Sequence, residues 1–145
     1  YFGAVLADVI RCGHHLDDFF DRASKVTPIE GFDDFAMHAN TLYFINKTID
    51  GKDIIVSVED VAEIIREYYK GNVPNLRLIS CNAGLLDTKD GVAQKLANIL
   101  NIKVIAAKGT VKIFKDGELS VVDPFTKIEY KDQSLWKLFT PNKEI

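Results

Sequence analysis

The apolar residues of this chain change their spacing several times between its first and last positions, and each change predicts an element. Over residues 3–25, "GAVLADVIRCGHHLDDFFDRASK", the residues Val5, Leu6, Val9, Ile10, Leu16, Phe19 and Phe20 fall mostly at helical intervals, interrupted at Gly13. "VTPIEGFDD" follows, with Pro28 and Gly31 as punctuation, and reads as a loop. "FAMHAN", residues 35–40, is a short apolar stretch that predicts a strand ending near His38. "TLYFINKTIDGKDIIVS" alternates around Asp50-Gly51 and predicts a β-hairpin.

The clearest helix starts at Ser57. "SVEDVAEIIREYYKG" offers Ser57 as N-cap with Asp60 three residues on, a weaker relative of the capping box, and Gly71 as a stop. Its apolar face is Val58, Val61, Ala62, Ile64, Ile65 and Tyr68. After Pro74 comes the strand "LRLIS", a turn at Cys81, a helix in "DGVAQKLANIL" facing inward through Val92, Ala93, Leu96, Ala97 and Leu100, and the strand "KVIAA". Strand, helix and strand in that order imply parallel pairing by right-handed crossovers. In the tail, "TVKIFKDGELSVVD" alternates about a Lys115-Asp116-Gly117 turn, and "TKIEYKDQSLWKLF" reads as one further strand and a short closing helix. The fold class expected is α/β, with "FAMHAN", "LRLIS" and "KVIAA" in one mainly parallel central sheet flanked by helices, plus a C-terminal β-hairpin.

Composition narrows the classes. The chain has 145 residues, 47% hydrophobic and 27% charged, the make-up of one globular domain with a core. No internal repeat, low-complexity segment or domain boundary stands out. A net charge of -3 lacks the basic footprint of a nucleic-acid binder. No apolar run approaches the roughly 18 residues that span a bilayer, and no secretory signal opens the chain. Two cysteines, Cys12 and Cys81, are too few for a disulfide framework. The chain opens on Tyr1 and its only methionine is Met37, so it reads as a piece of a longer or processed protein.

Four groups can carry chemistry. Cys81 ends a buried strand where the chain turns, and it is either a small core residue or a nucleophile at the edge where open α/β sheets hold ligands. Asn82 and Gly84 suit a sharp turn whose N–H groups could meet an oxyanion. His38 also ends an apolar stretch, and it is either a structural histidine or a base able to meet Cys81 above a shared sheet edge. Cys12, His14 and His15 are of metal-ligand type, but no second Cys/His cluster completes a structural zinc site, and no metal or other cofactor is expected. The acidic pairs Asp33-Asp34 and Asp87/Asp90 are loop carboxylates or caps, and the second pair could select a basic substrate group. No P-loop, GxGxxG or GxSxG motif is present.

A histidine ending one strand, the "SVEDVAEII" helix, "LRLISCNAG" and "GVAQKLANILNIKVIAA" together resemble the caspase-like cysteine peptidase domains of bacterial polymorphic and self-processing toxins. The resemblance covers about residues 33–113 of a single domain spanning 1–145, and "SCNAG…AQKLAN" is its most specific part. It implies a caspase-like three-layer sandwich, Cys81 as nucleophile, His38 as general base, and an oxyanion site at the backbone of Cys81 and the residue after His38. That residue is Ala39, where the family usually has glycine; alanine keeps the N–H but resists positive φ. The resemblance further implies a secreted or delivered effector acting on a protein or peptide substrate in a target cell, with a cognate immunity protein as partner. On the same scaffold, a non-peptidase toxin or partner-binding module is the alternative.

Overall fold

A computed structural model describes residues 18–47 and 52–142. The elements, in chain order, are α1 (Asp18–Ala23), β1 (Phe32–Ala36), β2 (His38–Ala39), β3 (Phe44–Lys47), β4 (Asp53–Val56), α2 (Val58–Tyr68), β5 (Asn75–Ile79), α3 (Val92–Leu100), β6 (Val104–Ala107), β7 (Thr110–Ile113), β8 (Leu119–Val122), β9 (Glu129–Tyr130) and β10 (Trp136–Phe139). The architecture is mixed α/β. The central sheet has the order β1-β5-β6-β10, with β1–β5 and β5–β6 parallel and β6–β10 antiparallel. Two antiparallel sheets, β2-β3-β4 and β7-β8-β9, complete the fold.

The helices form where the apolar period and the caps agree. Ser57 caps α2, its hydroxyl accepting from the Asp60 N–H at 3.1 Å, and Glu59 and Asp60 stand in the first turn where the helix dipole favours acids. The helix buries Val58, Val61, Ala62 and Ile65. In α3, Val92, Ala93, Leu96, Ala97 and Leu100 are buried, and the helix stops at Asn101 in the left-handed conformation, φ 55°. Both helices pack on one face of the central sheet against Phe35, Leu76, Leu78, Val104, Ala106 and Phe139. Each fully buried large aliphatic or aromatic side chain there stabilises by about 1.5–3 kcal/mol.

The opposite face is covered differently from the expectation of flanking helices. Ala36, Ile79 and Ala107 pack there against Val111, Ile113 and Val121 of the β7–β8 pair and Ala23 of α1, so a short helix and a second sheet take the place of a helical layer. Gly117 at the β7–β8 turn has φ 90° and lies so close to the Lys25 carbonyl that a Cβ would fall 2.2 Å from its oxygen. Only glycine permits both the turn and that approach.

Three further expectations are corrected. The strand expected in "FAMHAN" begins earlier, at Phe32, and leaves the central sheet at Ala36. Asp33 and Asp34, read as loop, are strand residues because their charges are met across the fold. Asp34 pairs with its ladder neighbour Arg77 through two bonds of 2.6 and 2.7 Å, and Asp33 accepts from the Tyr69 hydroxyl at 2.8 Å. The closing helix is instead strand β10, whose buried Phe139 and antiparallel bonds to β6 finish the central sheet. The helix expected over 3–25 is described only as α1; Cys12, His14, His15 and the Asp50-Gly51 turn lie outside the described residues.

In the small sheet the strands pair as His38↔Ile45↔Ile55 and Ala39↔Phe44↔Val56. The second row is buried in the main core, so the first faces the other way. This pairing of rows positions the site.

Candidate functional site

Cys81 and His38 arrive at one edge by register. Ala36 and Ile79 are the last Cα partners of the parallel β1–β5 ladder, and His38 and Cys81 each lie two residues beyond them. The Met37 N–H still reaches the Ile79 carbonyl, at 3.4 Å. Strand alternation carries through Met37, since Phe35, Met37 and Ala39 all lie in the main core. Ala36 and His38 therefore take the opposite side, which is the side on which Ile79 and Cys81 pack. Register and alternation thus assign both residues to one edge and one face, and each is half-buried.

Cys81 is partly buried in the turn that follows β5. It packs beside Ala36, Ile79, Ala107 and Val111, and its Sγ lies 3.9 Å from the Val111 carbonyl oxygen of β7, a long contact even for sulfur. Burial pushes the thiol above its ordinary range, and the contact with the Val111 backbone only partly offsets this. The resting group is therefore a thiol, and attack on a carbonyl would require a base to remove its proton.

The turn after Cys81 is held from two sides. Asn82 adopts the left-handed conformation, φ 59°, that asparagine tolerates better than most residues. Its N–H donates to the Gly109 carbonyl at 2.8 Å, and the Gly84 N–H donates to the Ala107 carbonyl at 2.8 Å. Both amides expected at an oxyanion are thus engaged by the β6–β7 connection. Gly84 is needed for closeness rather than for positive φ, since a Cβ there would lie 2.9 Å from the Ala106 carbonyl oxygen. The first amides of α3 are engaged as well, Val92 by the Thr41 carbonyl and Ala93 by the Ala83 carbonyl. The helix N-terminus therefore braces the turn through Ala83 instead of facing the thiol.

Ala39 keeps an unengaged direction toward β3. The Asn40 N–H bonds the Tyr43 carbonyl at 3.0 Å, which makes Ala39 and Phe44 the next, non-hydrogen-bonded pair of the antiparallel ladder. The Ala39 N–H consequently points away from β3. Ala39 lies in strand β2 and is not among the described residues of positive φ, so the absence of glycine costs no strain here.

The acidic candidates stand apart from this edge chemistry. Asp87 is ion-paired with Lys137 of β10 at 2.8 Å, and Asp90 is an exposed turn residue that does not cap α3, whose N-cap is Gly91. Asp34 holds Arg77, which also donates to the Thr27 carbonyl. Among the described residues no group of three or more His, Cys, Asp or Glu is placed to hold a metal ion, and no helix is long and apolar enough to cross a membrane. Sequence reasoning missed Val111, which meets Cys81 through a backbone atom that no side-chain pattern reports. It also missed the outward row beside His38; the alternation in "LYFINK" carried that signal.

A protein-family model described as a domain of unknown function, DUF8616, matches the chain over residues 10–121. No curated protein matches the chain.

Proposed function

The chain belongs to the DUF8616 family, and we propose that it is a caspase-like cysteine endopeptidase domain working through Cys81 and His38. The observation that carries this reading is their placement two residues beyond one register pair of adjacent parallel strands, on one face. His38 takes the Cys81 proton as sulfur attacks the substrate carbonyl, forming the C–S bond. The C–N bond then breaks, and His38 returns the proton to the leaving amine. Water hydrolyses the thioester and restores the thiol. With the Asn82 and Gly84 amides engaged, the oxyanion is met by the backbone N–H groups of Cys81 and Ala39, the donors the resemblance implies. The parallel pairing of β1, β5 and β6 supports a caspase-like scaffold, while the β7–β8 pair stands where that scaffold would carry its other helical layer, and the resemblance supports a bacterial toxin or effector, secreted or delivered as part of a larger protein and neutralised by a cognate immunity protein.

A second reading, a partner-binding module without peptidase activity, is favoured by the raised thiol pKa and the engaged turn amides. Cleavage by the purified domain separates the two. A proteome-derived peptide library incubated with wild type, Cys81→Ala and His38→Ala is expected to be cut by wild type alone, with all three retaining the same circular dichroism. Undiminished cutting by Cys81→Ala, or none by wild type, would overturn the peptidase.

A further inference from the structure

We draw no further inference here: the strongest candidate, the open cleft around Arg22 between the end of α1 and the β7–β8 hairpin, lined by Lys25, Phe114 and Lys115, also carries the carboxylates of Asp21 and Asp116, and nothing in the structure shows what would occupy it.

Discussion

The Cys81 sulfur and the Val111 carbonyl oxygen face one another across 3.9 Å, so the candidate nucleophile lies under the β7–β8 pair and not at an open turn. Burial holds its pKa above the ordinary thiol range. Alkylation of Cys81 by iodoacetamide at pH 7.5 is expected to run at least about tenfold slower in the native protein than in urea, followed on the Cys81 peptide by mass spectrometry. Equal rates would refute the burial. The folded thiol holds its proton more tightly than the unfolded one, so this group's contribution to stability is fully present below the unfolded value. It declines as pH rises above about 8.5 and through the folded value. Urea midpoints of wild type and Cys81→Ala should converge in that window.

Asp34 and Arg77 form a two-bond ion pair, with side chains only 10% and 7% exposed. Asp34→Ala leaves the guanidinium buried with its Thr27 carbonyl contact alone, and is expected to cost about 3–5 kcal/mol in urea unfolding. An apolar double variant, Asp34→Leu with Arg77→Met, is expected to recover most of that loss. A single variant as stable as wild type would show that water reaches the pair.

Gly84→Ala introduces a Cβ 2.9 Å from a backbone oxygen of β6, which cannot yield as a flexible side chain would. The expected cost is about 1–3 kcal/mol. Hydrogen exchange should localise it, because the displaced turn loosens the Gly84 N–H bond to Ala107. Protection unchanged at Gly84 would contradict this account.

Ser80 Oγ is buried with no hydrogen-bond partner among the described residues. Ser80→Ala is therefore expected to be neutral or to stabilise by about 1 kcal/mol. A clear loss of stability would reveal a partner for the hydroxyl. Cys81 alkylation in the same variant is expected to match wild type, since alternation puts Ser80 and Cys81 on opposite sides of the strand.

The sequence by itself determined the elements whose rules are local. Ser57 and the apolar period specify α2, the run Val92 to Leu100 specifies α3, and Lys115-Asp116-Gly117 separates β7 from β8. Each rests on a cap, a period or a turn read within a few neighbouring residues. It also marked His38 and Cys81, because apolar runs end beside them. The tertiary structure decided whatever needed a distant partner. Asp33 and Asp34 enter a strand because Tyr69 and Arg77 meet their charges. "WKLF" is a strand because β6 offers an edge. The Asn82 and Gly84 amides turn to Gly109 and Ala107, and Cys81 is covered by β7, because a second sheet packs where helices were expected. Charge neutralisation and amide pairing are satisfied across space, and local spacing reports neither.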